Sequence, residues 1–126
     1  MDFKQIKKLI PAILWAGMIF FFSSVPDLHS GLPDIFDIVL RKIAHTGEYA
    51  ILAILLLRGF SATKQWQKQQ KLFVIVMVIV ILYAISDEIH QGFVPGRIAS
   101  PIDVLIDAFG AILCLSIFYK IKNRSK

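Results

Sequence analysis

Four apolar segments separated by short polar stretches account for most of this 126-residue chain. They cover residues 9–25, 43–57, 72–85 and 102–119. With 56% hydrophobic residues, 18% charged residues and a mean hydropathy of +0.67, the chain is too apolar for a typical water-soluble domain. The sequence therefore predicts a single all-α membrane domain, residues 1–126, built as a bundle of four transmembrane helices.

Two of the apolar segments are shorter than the ~20 residues that cross a bilayer, but both can be extended. The second can run to Phe60, with Gly59 suited to a helix end, and we expect an interfacial half-helix over residues 32–40 before it. Extension brings ionisable side chains into membrane helices, where they are costly and therefore indicate function. The predicted helices are residues 9–25, 41–60, 72–91 and 102–119.

Basic residues gather at one side of the predicted bundle. Three lysines precede the first helix, four basic residues lie between Arg58 and Lys71, and four follow the fourth helix, which leaves Arg41, Lys42 and Arg97 for the other side. Cytoplasmic loops carry an excess of Lys and Arg, so this distribution predicts both termini in the cytoplasm. All three histidines and most acids fall on the opposite, outer side, and any chemistry is expected there.

The formal charge of +5 does not indicate nucleic-acid binding. The basic residues lie in short polar segments beside apolar runs, without the aromatic and basic stripe of a nucleic-acid surface. One cysteine, Cys114, cannot form an internal disulfide, so cysteine usage does not identify a compartment. The expected partner is the lipid bilayer.

Ionisable residues fall on one face of the second and third helices. On the second, a helical wheel places five polar residues within an arc of about 120°: Arg41, Lys42, His45, Glu48 and Tyr49. On the third, Asp87 and Gln91 share a face and are expected to point inward, with either Glu88 or His90 at its edge. The bundle interior is therefore expected to hold a polar site near one bilayer surface.

The fourth helix has a narrow stripe of small and acidic residues: Asp103, Asp107, Gly110 and Cys114. A glycine in such a stripe permits two helices to approach closely. Ahead of the helix, Pro95 and Gly96 occupy the central positions of a predicted type II turn. Ser100 and Pro101 then form a strong helix start as N-cap and first helical residue.

Such a site has three chemical interpretations. Two histidines with several carboxylates could hold a divalent cation, which leaves a metal cofactor open. Arg41, Lys42 and Arg97 could clamp a phosphate or carboxylate while a histidine or acid moves protons. The carboxylates could instead relay protons or ions. A purely structural network of ion pairs, with Asp103 acting as a capping acid, is the alternative to all three.

Three blocks of sequence resemble the VanZ-like family of small bacterial membrane proteins, and the resemblance covers roughly residues 20–118. They are residues 41–49 (RKIAHTGEY), 86–97 (SDEIHQGFVPGR) and 103–110 (DVLIDAFG). Ser23 or Ser24 also resembles a serine that often follows the first helix in this family. The family is named for a protein associated with low-level teicoplanin resistance, by a mechanism that is not established. Resemblance implies a multi-pass protein of the bacterial cytoplasmic membrane with an outward-facing role in the cell envelope.

By this resemblance and by the helical faces, candidate catalytic residues are His45, Glu48, Asp87 and Glu88. Candidate substrate-binding residues are Lys42, Tyr49, His90, Gln91, Arg97, Asp103 and Asp107. The leading hypothesis is a site that binds or modifies an envelope component, such as a lipid-linked precursor or an anionic lipid head group, with an effect on teicoplanin sensitivity. The alternatives are a membrane-embedded hydrolase or transferase acting on a lipid-linked phosphate, and a non-catalytic scaffold or proton- or ion-coupled transporter.

Overall fold

The computed structural model describes residues 3–26, 33–61 and 69–124, and within them the chain forms four α-helices and no β-strand. These are α1 (Phe3–Ser23), α2 (Asp34–Ser61), α3 (Gln69–Gln91) and α4 (Pro101–Arg124). Asp27 and His29, expected on the outer side, and Lys64 and Lys68, expected on the cytoplasmic side, lie outside the described residues.

All four helices are long and apolar enough to cross a membrane, with mean hydropathies from 1.3 to 2.5. At 1.5 Å per residue, the 23 residues of α3 extend about 35 Å, against a hydrocarbon core of about 30 Å. Large apolar side chains such as Leu14, Leu82 and Phe109 are exposed on the outside of the bundle. The predicted class, an all-α bundle of four membrane helices, is confirmed.

The beginning of α2 differs from the prediction. Residues 34–40 of the expected half-helix are helical, and their backbone continues without interruption into the second span, so that α2 begins at Asp34 instead of Arg41. The first turn forms when the amide groups of Phe36 and Asp37 donate to the carbonyl of Pro33, at 2.9 and 3.3 Å. Asp34 and Asp37 lie in this turn, where the helix dipole favours negative charge.

Gly59 does not end α2, as the sequence suggested. The helix continues to Ser61, whose hydroxyl donates to the carbonyl of Leu57. Gly59 is buried against α1, and a Cβ atom at this position would collide with the Leu9 side chain. Its role is therefore to let two helices approach closely rather than to stop one of them. Other helix ends also differ from the prediction. α1 covers residues 3–23 instead of 9–25, α3 begins at Gln69 instead of residue 72, and α4 ends at Arg124 instead of residue 119.

The second helix is the centre of the bundle. It packs against α1, α3 and α4, whereas α1 and α4 are not neighbours among the described residues. An apolar core fills the middle of the bundle and includes Leu52, Ala53, Val76, Val80, Ala111 and Leu115. The C-terminal ends of α1 and α3 meet the N-terminal ends of α2 and α4, and we call this end, with Ser23, Arg41, Gln91 and Asp103, the polar end.

Two sequence features set the geometry of the polar end. The amide of Arg97 donates to the carbonyl of Val94 at 3.1 Å, and Gly96 has a φ of 79°, so the predicted type II turn is confirmed. Gly110 lies against α2, where a Cβ atom would collide with the side chain of Thr46. The close approach of α2 and α4 predicted from the small-residue stripe is therefore present.

Candidate functional site

Asp87 is the centre of a buried hydrogen-bonded cluster that joins three helices. Its Oδ2 atom accepts hydrogen bonds from Ser23 Oγ of α1 at 2.8 Å, Tyr49 Oη of α2 at 3.2 Å and Gln91 Nε2 of α3 at 3.0 Å. All four side chains are buried, with Ser23 and Tyr49 fully inaccessible. Among the described residues, Asp87 Oδ1 has no hydrogen-bond partner. We call Ser23, Tyr49, Asp87 and Gln91 the Asp87 cluster.

Gln91 connects this cluster to His45. A carboxylate can only accept hydrogen bonds, so Asp87 requires the nitrogen of the Gln91 amide to face it, which fixes the orientation of the amide. The same nitrogen lies 3.4 Å from Ser23 Oγ and 3.3 Å from His45 Nε2, and because an amide nitrogen only donates, its contact with His45 requires the ring nitrogen to accept. His45 Nε2 is therefore an acceptor, and the ring carries its proton on Nδ1 when neutral.

The protonated side of His45 faces α4. His45 Nδ1 lies 3.8 Å from Asp107 Oδ2, which is close enough for an ionic contact but longer than a hydrogen bond. His45 thus presents an N–H donor on this side, while the lone pair that a general base would need is occupied by Gln91. Gln91 and Asp107 together hold the ring from two helices.

A cavity of about 380 Å³ opens beside His45 at the polar end. Helices α2, α3 and α4 and the loop of residues 92–100 supply its walls. The polar and charged lining residues are Arg41, Lys42, His45, Glu88, Gln91, Arg97, Ser100, Asp103 and Asp107. Ile38, Ile98 and Ile106 add apolar surface. The size and the mixture of apolar wall and converging polar groups are typical of a small-molecule site.

Three cations line this cavity. Lys42 forms an ion pair with Asp103 across the α2–α4 interface. The guanidinium of Arg97 donates to the carbonyls of Phe22 and Val25, at 3.1 and 3.3 Å, and so ties the loop to the end of α1. Burial, together with the neighbouring positive charge of Arg41, lowers the pKa of Arg97 from its usual range. Both guanidinium groups line the cavity, and their like charges repel each other.

Glu88 joins α3 to the beginning of α4. Its Oε1 atom accepts a 2.6 Å hydrogen bond from the backbone amide of Ser100, the residue just before α4. The sequence predicted either Glu88 or His90 at the edge of the polar face. Glu88 is buried, as are Asp87 and Gln91, whereas His90 is half-buried toward α1.

Four of the predicted site residues do not line the cavity. Asp87 and Tyr49 lie behind its wall in the Asp87 cluster. The Glu48 carboxylate is half-buried and interacts electrostatically with Asp87, while its backbone carbonyl accepts a 2.9 Å hydrogen bond from Trp15 Nε1. His90 stacks on Phe20 and lies 2.9 Å from Ser24 Oγ. Because Ser24 donates to the carbonyl of Phe20 at 2.7 Å, its oxygen accepts from His90.

The other seven predicted residues line the cavity together: Lys42, His45, Glu88, Gln91, Arg97, Asp103 and Asp107. Sequence reasoning missed the part played by Ser100, whose backbone amide holds Glu88, because twelve residues separate the two and no local pattern connects them. It also missed the apolar wall, since Ile38, Ile98 and Ile106 resemble any other membrane-facing isoleucine.

The structure gives no support to a protein-built metal centre. Among the residues it describes, no group of three or more His, Cys, Asp or Glu side chains has the arrangement that could hold a metal ion. The carboxylates are distributed over separate partners: Asp87 in its cluster, Glu88 on Ser100 and Asp103 on Lys42.

Comparison with protein families identifies the family of the chain. The VanZ/LLP1 family model matches residues 8–122, which is nearly the whole chain and includes all four helices. No curated protein and no solved structure matches the chain significantly.

Proposed function

The chain belongs to the VanZ/LLP1 family, and from this premise we propose that its cavity binds the phosphate-bearing head group of a cell-envelope lipid. The protein is held in the membrane by four helices, so a ligand of the cavity reaches it from the bilayer or its surface. We also propose that the cavity faces the outside of the cell and that the protein affects sensitivity to teicoplanin.

One observation carries the proposal: the cavity wall brings Arg41 and Arg97 together. Two like charges in a partly buried site destabilise each other, and an anion bound between them relieves the repulsion. Guanidinium groups bind phosphate oxygens through two parallel hydrogen bonds, which makes arginine the usual residue for such recognition. Lys42, already paired with Asp103, adds a third positive charge nearby.

Binding is favoured over catalysis by the position of His45. Its Nε2 lone pair faces Gln91 and its Nδ1 lies 3.8 Å from Asp107, so the ring supports the wall rather than removing a proton. Of the other candidate catalytic residues, Glu48 and Asp87 do not line the cavity. A hydrolase or transferase would therefore rely on Glu88 or Asp107.

The ligand proposal can be tested with the purified full-length protein in nanodiscs, using native mass spectrometry and titration of phosphatidylglycerol, phosphatidylethanolamine and a polyprenyl phosphate. We expect at least one of these lipids to be retained, and Arg41→Gln to weaken its binding about tenfold, the cost of one charge-assisted hydrogen bond. Arg58→Gln is the matched control, because Arg58 is exposed near the other end of the same helix. Arg41→Gln protein that is folded and binds normally would contradict the proposal.

The outward orientation is tested by labelling single cysteines in intact cells, in a Cys114→Ser background. Phe93→Cys, at an 82% exposed position in the loop of the polar end, is expected to react with a membrane-impermeant maleimide. Lys120→Cys, near the end of α4, is expected to react only after the membrane is permeabilised. The reverse pattern would place the cavity on the cytoplasmic side.

The effect on teicoplanin is a separate question for living cells. Expression of the protein in a sensitive Gram-positive host is expected to raise the inhibitory concentration of teicoplanin, and Arg41→Gln to remove the increase. An unchanged inhibitory concentration with wild-type protein in the membrane would remove the resistance role and leave the binding proposal intact.

A further inference from the structure

The cavity wall carries equal numbers of basic and acidic side chains. Arg41, Lys42 and Arg97 stand against Glu88, Asp103 and Asp107. Among these six residues, all of which the structure describes, the one direct ion pair is Lys42 with Asp103. Two cations and two carboxylates therefore remain in the wall without a direct partner of opposite charge within this set.

The carboxylates of Glu88 and Asp107 have acceptor capacity left over. Glu88 uses one oxygen for the amide of Ser100, and Asp107 lies 3.8 Å from His45, beyond hydrogen-bond distance. Each carboxylate has two oxygens that can accept several hydrogen bonds. A ligand with N–H donors can satisfy both groups, whereas a ligand with only negative charge is attracted by Arg41 and Arg97 and repelled by Glu88 and Asp107.

Apolar residues around the cavity favour a lipid as the source of the ligand. Ile98 lines the cavity and is 89% exposed, and Phe93 of the same loop is 82% exposed. Exposed side chains of this size on a loop beside membrane helices are suited to the bilayer interface, where head groups and the first acyl carbons lie. The charged wall and the membrane interface therefore adjoin.

From these observations we infer that the cavity is specific for a zwitterionic head group in which a phosphodiester is joined to a primary ammonium, as in phosphatidylethanolamine. The phosphodiester lies against Arg41 and Arg97, and the ammonium donates to Glu88 and Asp107. This inference rests on the proposed function, because it assigns the ligand class of the same cavity.

Its test compares head groups that differ in one property, in nanodiscs containing wild-type protein. Phosphatidylethanolamine has the primary ammonium, phosphatidylcholine has a quaternary nitrogen without N–H donors, and phosphatidylglycerol and a polyprenyl phosphate have no positive charge. We expect phosphatidylethanolamine to bind about tenfold more tightly than the others, in line with one or two charge-assisted hydrogen bonds. Preference for phosphatidylglycerol or polyprenyl phosphate would overturn this inference and leave the proposed function standing. Retention of no lipid would overturn both.

Variants identify the groups that bind the ammonium. Glu88→Gln keeps an oxygen for the Ser100 amide and removes the charge, and Asp107→Asn does the same beside His45. We expect each to reduce the preference for phosphatidylethanolamine over phosphatidylcholine about tenfold. Asp34→Asn is the matched control, an exposed acid at the same end of the bundle. Folded Glu88→Gln and Asp107→Asn proteins that both retain the wild-type preference would overturn the inference.

A soluble competitor separates the two sources of this head group. Glycerophosphoethanolamine has the same phosphodiester and ammonium but no acyl chains. Displacement of the lipid at millimolar concentration only would support a membrane lipid as ligand. Binding as tight as that of the lipid would support the same head-group chemistry and assign it to a soluble compound. Failure to compete at any concentration, with glycerophosphocholine equally inert, would show that the charges are not recognised and would overturn the inference.

Discussion

Gln91 Nε2 lies 3.3 Å from His45 Nε2, and this contact between α3 and α2 joins the buried Asp87 cluster to the wall of the cavity. The orientation of Gln91 is fixed by Asp87 behind it, so the protonation site of His45 is decided by a residue that the cavity does not contain. Histidine tautomers in ligand sites are commonly set by such a partner at the other ring nitrogen.

The first prediction concerns this tautomer. Neutral His45 is expected to carry its proton on Nδ1, which can be read from the ¹⁵N chemical shifts of histidine-labelled protein in micelles. Gln91→Leu removes the donor to Nε2 and is expected to shift the ring toward the Nε2–H form that predominates in free histidine. A wild-type ring already protonated on Nε2 would contradict the assignment of the Gln91 amide.

The second prediction concerns the Asp87 cluster as a stabilising element. Ser23→Ala removes one of the three donors to a buried carboxylate, and the unfolding free energy is expected to fall by about 1–3 kcal/mol. Ser86→Ala is the control, because Ser86 is exposed on α3 and bonds only its own helix, at the carbonyl of Tyr83. Unfolding by SDS in mixed micelles measures both. Equal losses for the two variants would show that the cluster contributes nothing specific.

The third prediction concerns the close approach of α2 and α4. Gly110→Ala places a methyl group against Thr46 and is expected to cost about 1–3 kcal/mol through overpacking. Gly47→Ala is the matched control, since a Cβ atom at Gly47 meets nothing within 4 Å and alanine is the better helix former by about 0.5–1 kcal/mol. Thr46→Ser, which removes the colliding Cγ2 atom, is expected to recover part of the loss in the Gly110→Ala protein. Stability is measured by thermal unfolding. Equal losses for the Gly110→Ala and Gly47→Ala proteins would refute this explanation.

The fourth prediction concerns the Lys42–Asp103 ion pair. The Lys42 side chain is 40% exposed and that of Asp103 is 28% exposed, so solvent screens the interaction. A double-mutant cycle with Lys42→Met and Asp103→Asn is expected to give a coupling energy of about 1 kcal/mol or less, decreasing with added salt. A coupling of several kcal/mol that is insensitive to salt would mean that the pair is shielded from water.

The fold class could be predicted from the periodicity of the sequence, and most of the polar cavity-lining residues from the helical faces together with the family resemblance. Apolar runs define the four spans, and the helical wheel places His45 on the arc of Lys42 and Arg41, where the cavity lies. The same arc also contained Glu48 and Tyr49, which the structure puts behind or beside the wall. The spacing of residues in the sequence gives the direction in which a side chain leaves its helix. Whether that side chain reaches a cavity depends on how closely the neighbouring helix approaches.

Helix limits and residue roles were harder to predict because distant contacts determine them. Glycine is common at the end of a helix, yet Leu9 of α1 packs on Gly59 and the helix continues. Glu88 was assigned to catalysis from its position near Asp87, but its hydrogen bond to the Ser100 amide depends on the path of the loop of residues 92–100. The protonation site of His45 was equally hard to predict, since it depends on the side-chain amide of Gln91, 46 positions later.

Arg97 couples the cavity to the position of α1. Its guanidinium lines the cavity and at the same time holds the carbonyls of Phe22 and Val25 at the end of α1. A ligand that draws this group toward itself weakens its hydrogen bonds to α1, and so changes the affinity for any partner that binds when α1 is displaced. By thermodynamic reciprocity, such a partner changes the affinity of the cavity for its ligand by the same factor. Because α1 does not pack on α4 in the described structure, such a displacement leaves the α2–α4 wall in place. A helix none of whose described side chains lines the cavity is thereby coupled to its occupancy.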